Sequence, residues 1–176
     1  MLSFEVPDWK PLEPEMLELG NYLWILHADK IPPHIGISRH GRYYSLKVSG
    51  KDENLPYERI LHVLNQKKIP CLIIKTAENS FLKPDIAAVF EAYANAEVAG
   101  ATCLTPITEI YFGEPQNRIL SELLNLLNES GTLEEVFGLH LDGNFKGIPY
   151  YERADIQHRL KRLNDFKRTK NIPEGH

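Results

Sequence analysis

The chain has 176 residues, of which 43% are hydrophobic and 25% charged, and these values are typical of one globular domain. Its formal net charge of −4 gives no electrostatic reason to expect a nucleic acid or an anionic membrane as a partner. No apolar run approaches the roughly 20 residues that span a bilayer, and the first 20 residues lack the basic and apolar regions of a secretion signal. We therefore expect a cytoplasmic protein without a transmembrane segment.

Several kinds of functional site have no counterpart in the sequence. Two cysteines, Cys71 and Cys103, are too few for a disulfide framework or a zinc knuckle. None of the seven histidines belongs to a His-x-x-x-His or His-Glu-x-x-His pair. Glycine-rich nucleotide-binding loops and the Gly-x-Ser-x-Gly motif are also missing. The sequence thus predicts neither a metal site nor a cofactor.

The order of segments predicts an N-terminal arm, one domain and a tail. Residues 1–20 are acidic and rich in proline, which indicates an extended arm with a short turn near "PEMLEL". Residues 21–168 alternate between strand-like and helix-like patterns and are expected to form a single α+β domain. Residues 169–176 are expected to fray. The predicted fold class is α+β, with an antiparallel sheet and several packed helices.

The first half of the domain predicts a buried strand, "NYLWILH" (21–27), followed by a hairpin. "HIGIS" and "RYYSLKV" flank a turn in which Gly41 can adopt a positive φ. If Ser38 lies opposite Tyr43, Gly36 lies opposite Ser45, and alternation gives the hairpin an apolar and a polar face. The polar face would have a gap at Gly36 that another backbone could approach. The apolar face would consist of Ile35, Ile37, Tyr44, Leu46 and Val48.

The remaining elements follow from hydrophobic periodicity. The pattern predicts helices over residues 55–68, 83–99, 116–129 and 152–168, a strand over 69–75 and a short helix or turn at "PITEIYFG". "TLEEVFG" contains the capping-box residues Thr132 and Glu135.

Several clusters of polar or apolar residues have ordinary structural explanations. Asp52 and Glu53 are expected in a turn, where both carboxylates would be solvated. The basic segment "HRLKRLNDFKRTK" is better explained as a solvated helix end than as a nucleic-acid site. The leucine stripe of the helix over 116–129 belongs to the core or to a homodimer seam. His27 and His140 lie in apolar contexts, where each is expected to make one hydrogen bond.

Cys103 is the candidate nucleophile. It follows the helix-breaking Gly100 and precedes Pro106, which fits the first turn of a helix, so we expect Cys103 at a helix N-terminus. Free N–H groups at that position lower the pKa of a thiol and can hold an oxyanion. The alternative is a small buried hydrophobic residue, the commonest fate of an unpaired cysteine. Cys71 lies within an apolar strand and is expected in the core.

His34 is the candidate base, because it opens a strand whose polar face carries the gap at Gly36. A histidine paired with a cysteine accepts the thiol proton and later protonates the leaving group. A third polar group normally orients the ring, and Ser45 is the nearest candidate on the same face. The alternative is a surface histidine at the edge of a strand.

The segment "HIGISRHGRYYSL" and the later cysteine resemble the permuted papain-like amidases, that is, the circularly permuted NlpC/P60 group with the lecithin:retinol acyltransferase-like proteins. In that group, a strand of the form His-x-Gly-Ile-x precedes a glycine turn and a second strand, and the nucleophilic cysteine comes later, at the start of a helix. His34 precedes Cys103 in the same order. The family motif Asn-Cys-x-x-Phe is replaced here by "TCLTP".

The resemblance implies a permuted papain-like fold and a cysteine amidase, peptidase or acyltransferase. Cys103 would attack an acyl carbonyl of a small-molecule, peptide or acyl substrate, His34 would transfer the proton and Ser45 would orient the imidazole. The competing hypothesis is a non-enzymatic binding or protein-interaction module that uses the same hairpin.

Overall fold

A computed structural model describes residues 1–170 of the chain, which form nine strands, five α-helices and a short 3₁₀ turn at Pro14–Glu18. The strands are β1 (Leu2–Glu5), β2 (Lys10–Pro11), β3 (Asn21–Leu26), β4 (His34–Arg39), β5 (Arg42–Lys47), β6 (Gly50–Pro56), β7 (Cys71–Thr76), β8 (Leu133–Leu139) and β9 (Gly147–Pro149). The helices are α1 (Tyr57–Lys67), α2 (Ile86–Glu91), α3 (Thr105–Phe112), α4 (Leu120–Glu129) and α5 (Arg153–Lys170). Across residues 1–170, no helix is long and apolar enough to cross a membrane.

Seven strands form one sheet in the order β2-β8-β7-β3-β4-β5-β6. Only the two-residue β2 runs parallel to its neighbour, and every other pair in this sheet is antiparallel. A separate two-stranded sheet joins β1 to β9. With the helices packed against these sheets, the fold class is α+β, as the sequence predicts.

The hairpin of β4 and β5 has the predicted register. Ser38 pairs with Tyr43 and Gly36 pairs with Ser45. The two residues of the turn, His40 and Gly41, have φ values of 47° and 78°. Positive φ at both central residues is what a tight hairpin turn needs to match the twist of its strands, and glycine reaches it at no steric cost.

Both faces of the sheet are covered. The face that carries Ile35 and Ile37 packs against α2, α3 and α4 in the larger core. The opposite face packs against α1 and the 3₁₀ turn, so the predicted polar face of the hairpin is buried. Its gap at Gly36 is filled by the ring of Tyr43 rather than by another backbone, because a Cβ at Gly36 would overlap that ring.

Burial of this face is compatible with its polar groups because they bond to one another. The indole N–H of Trp24 donates to the Ser38 hydroxyl at 2.8 Å. The Trp24 ring meets the Tyr43 ring edge-to-face, with centroids 5.2 Å apart. A buried polar group that has a partner avoids most of its desolvation cost.

Asp52 and Glu53 correct the sequence analysis, because they lie in strand β6 and not in a turn. Strand β6 is the outer edge of the sheet, and most of its side chains are charged or polar. The hydrophobic alternation that identifies a half-buried strand is therefore missing from its sequence.

The helix predicted over residues 83–99 is also wrong in length, since α2 ends at Glu91. The chain beyond it is tied to the hairpin. The Asn95 amide donates to the Val48 carbonyl, and the Ala96 N–H donates to the Lys47 carbonyl. These bonds compete with helical ones and end the helix before Gly100.

Residues 133–139 form a strand, so the capping-box residues Thr132 and Glu135 do not begin a helix. Pairing with β7 overrides that local pattern. The predicted N-terminal arm is extended, and it pairs with β9 and β8.

The leucine stripe of α4 is buried in the core. Helix α5 runs to Lys170, beyond the predicted start of the tail, and residues 171–176 lie outside the described part of the chain.

Candidate functional site

A cavity of about 990 Å³ lies at the end of the sheet where strand β4 begins. Its walls come from β4, β5, the segment before α3, and one side of α5. The apolar part of the lining includes Ile35, Leu46, Leu104, Ile156, Leu163 and Phe166. Cys103 and His34, predicted from sequence as nucleophile and base, both line this cavity.

Cys103 lies two residues before α3 and packs against the Ile35 face of the sheet. The backbone N–H groups of Ile35, Cys103 and Leu104 favour the thiolate, but burial outweighs them and raises the pKa of the thiol to about 11. These N–H groups therefore act on the thiol in the expected direction, whereas the expected net lowering of its pKa is wrong. At neutral pH the thiol is protonated.

His34 opens strand β4 opposite Leu26. Burial lowers the pKa of its imidazole to about 4; Asp52 acts in the opposite direction, while Lys47, His27 and Arg159 lower the pKa further. Its Nε2 atom is buried and has no hydrogen-bond partner within residues 1–170. A neutral imidazole with a free nitrogen at a cavity wall can accept or donate one hydrogen bond to a ligand.

Ser45 is fully buried and bonded to Asp52, not to His34. Its hydroxyl donates to one carboxylate oxygen of Asp52 at 2.9 Å, and the Lys47 ammonium pairs with the other oxygen at 2.9 Å. Asp52 also acts on the ionisation of His34. The carboxylate that acts on the imidazole is therefore that of Asp52 in β6. The sequence analysis expected Asp52 to be solvated in a turn.

The structure brings Cys103 and His34 to one cavity but does not join them. Cys103 packs on the Ile35 face, and alternation along β4 directs the neighbouring His34 side chain to the opposite face. In the part of the chain that the structure describes, no hydrogen bond links the thiol to the imidazole. The catalytic roles of Cys103, His34 and Ser45 remain predictions.

Two residues of the cavity were missed as site candidates. His27 was expected to make one hydrogen bond, yet its buried Nδ1 atom has no partner among the described residues. Its φ of 55° is not a β-strand value, so His27 lies outside strand β3, although the sequence predicts a strand over residues 21–27. Arg159 reaches the cavity from α5 and acts on the ionisation of both His27 and His34. Its role depends on how α5 docks, which no local pattern encodes.

Comparison with known proteins adds no assignment. No family model, curated protein or solved structure matches this chain. Across the described residues, no group of three or more histidine, cysteine, aspartate and glutamate side chains is arranged to hold a metal ion. The site is therefore defined by its own residues.

The half-buried imidazole of His34, with its lowered pKa, predicts a loss of stability in mild acid. The unfolded chain binds a proton at this residue below its ordinary pKa of 6.5, whereas the folded chain keeps it neutral to about pH 4. Its contribution to the free energy of unfolding is fully present above pH 6.5 and is lost as the pH falls to about 4, by up to about 3 kcal/mol. Urea unfolding at several pH values measures this slope.

The variant His34→Gln should have a shallower pH dependence than the wild type between pH 6.5 and 4, because glutamine does not titrate. The matched control is His62→Gln, which changes an exposed histidine of α1. Equal pH profiles for the wild type and His34→Gln would contradict the burial of a neutral imidazole.

Proposed function

We propose that the protein binds a small, largely apolar molecule in the cavity between the end of the sheet and α5. The observation that supports this most directly is the cavity itself: about 990 Å³, with apolar walls and a few polar groups that lack partners. Cavities that hold small molecules have this size and composition. This places the binding hypothesis ahead of the enzymatic one, because the thiol lacks the ionised form that a cysteine nucleophile needs at neutral pH.

Acyl transfer by Cys103 is the second candidate, and one observation favours it. The N–H groups of Ile35, Cys103 and Leu104 favour the thiolate, and the same groups could stabilise the oxyanion of a tetrahedral intermediate. The sulfur would form a bond to the acyl carbon while the thiol proton passes to His34 through one bridging water, because no hydrogen bond links the two groups directly. The same proton would then pass to the leaving group as its bond to the acyl carbon breaks.

Filling the cavity tests the binding proposal. The probe is Nile red, an uncharged apolar dye whose fluorescence rises when it leaves water. The wild type should give a saturable signal with one site per chain. Ile156→Trp, which adds bulk to a half-buried side chain of the cavity wall, should weaken the binding about tenfold or more because it excludes the dye.

The matched control is Ala154→Trp, which adds a larger increment on the same helix at an exposed position outside the cavity. It should bind the dye as the wild type does. Thermal unfolding of both variants establishes that they are folded. Equal loss of binding in both variants, or no saturable binding by the wild type, would contradict the proposal.

A further inference from the structure

The charge of the cavity lining differs in sign from that of the whole protein. The chain has a formal net charge of −4, yet one acidic residue, Asp29, faces six basic residues around the cavity. The basic residues are Lys30, Lys47, Arg159, Arg162, Lys167 and Lys170. A local excess of positive charge beside apolar walls favours a ligand that carries a negative charge.

Three of these cations already have partners. The Lys47 ammonium pairs with Asp52 at 2.9 Å, and Lys167 donates to the Val48 carbonyl at 3.3 Å. Lys170 lies over the Phe166 ring, with its nitrogen 4.6 Å from the centroid. Arg159, Arg162 and Lys30, in contrast, form no ion pair with any carboxylate of residues 1–170. Within the described residues, no carboxylate neutralises these three side chains, so each can pair with an anionic ligand.

Arg159 differs from the other two because its charge acts on two half-buried imidazoles, those of His27 and His34. His27 lowers the pKa of His34, and the Arg159 guanidinium lowers the pKa of both imidazoles. Each ring has one buried nitrogen without a partner among the described residues, Nδ1 in His27 and Nε2 in His34. A buried polar atom without a partner costs stability until a ligand supplies one.

We propose that the cavity takes an amphipathic anion, a carboxylate joined to an apolar chain, whose charged end is held by Arg159 together with the imidazoles of His27 and His34. The inference rests on the proposed binding function and adds the class of ligand. Guanidinium groups bind carboxylates through two parallel hydrogen bonds, and the imidazoles supply the further donors. The chain of the ligand packs against Ile156 and Leu163.

The test compares two probes with the same chain length, dodecanoate and 1-dodecanol, by isothermal titration calorimetry at pH 7.5 with each probe kept below its aggregation limit. Dodecanoate should bind at least about tenfold more tightly than the uncharged alcohol. Arg159→Gln should weaken dodecanoate binding about tenfold or more and leave 1-dodecanol binding unchanged.

The matched control is Arg168→Gln, which removes the same charge from an exposed position of α5 outside the cavity. It should bind both probes as the wild type does. Equal weakening by the two variants would overturn the assignment to Arg159, because it would indicate diffuse attraction by a basic helix.

The failures of the two proposals are distinguishable. If 1-dodecanol and dodecanoate bind with equal affinity, the anionic ligand is overturned and the apolar binding function stands. If neither dodecyl probe nor Nile red binds, the binding function itself is overturned. If dodecanoate binds tightly, and Arg159→Gln weakens this binding while Arg168→Gln does not, the result supports both proposals.

Discussion

Replacement of Gly36 by alanine is expected to lower the free energy of unfolding by about 3 kcal/mol, since overpacking a rigid core costs energy. A Cβ at this position would overlap the Tyr43 ring, which is 1% exposed and held by Trp24. The ring therefore has no free space into which it could move. Equilibrium unfolding in urea measures the loss.

A double-mutant cycle isolates the cause of this loss. In a Tyr43→Ala background, Gly36→Ala should cost no more than about 1 kcal/mol, because the overlapping ring has gone. The control Gly143→Ala should change stability by no more than about 0.5 kcal/mol, since a Cβ at that exposed glycine meets nothing within 4 Å. An unchanged cost in the Tyr43→Ala background would show that the ring is not the obstacle.

Cys103 is expected to react with iodoacetamide at pH 7.5 more than tenfold more slowly than a free cysteine. A thiol with a pKa of about 11 has far less thiolate at this pH than one with the ordinary value near 8.5, and its greater intrinsic nucleophilicity recovers only part of the difference. Its rate should still rise between pH 9 and 10, where that of a free thiol levels off. Mass spectrometry of the labelled peptide measures the rate.

Two comparisons complete this experiment. Cys71, fully buried in β7, should remain unlabelled in the folded protein. Both cysteines should react at the rate of a free thiol in denaturing urea. Labelling of Cys103 faster than a free thiol at neutral pH would contradict the raised pKa. It would also favour acyl transfer over binding.

The hairpin could be predicted from sequence because its determinants are local. A glycine-containing turn flanked by strict alternation leaves one register that buries Ile35 and Ile37, and the structure has that register. Strand β3 is also predictable from a local pattern, because its continuous apolar run is typical of a strand that is buried on both faces. Where the pattern of hydrophobic residues is clear, it predicts both the type of element and the face that is buried.

The errors lie where distant segments decide the outcome. Strand β6 is a mostly polar edge strand, so its sequence around Asp52 is typical of a turn. Only its pairing with β5 makes it a strand. The "TLEEVFG" segment contains capping-box residues, but it pairs with β7 and forms a strand of the sheet. Arg159 lies 125 positions after His34 in the sequence, and only the docking of α5 brings it to the cavity. No local pattern contains that information.

The pairing of β1 with β9 has a consequence for the order of folding. Leu2 pairs with Pro149, and the Val6 N–H donates to the Lys146 carbonyl at 2.7 Å. During synthesis on the ribosome, the first strand emerges early and must wait for a partner encoded more than 140 residues later. We expect the hairpin and its neighbouring strands to assemble first, and the early strand to stay exposed to chaperones until translation has passed β9.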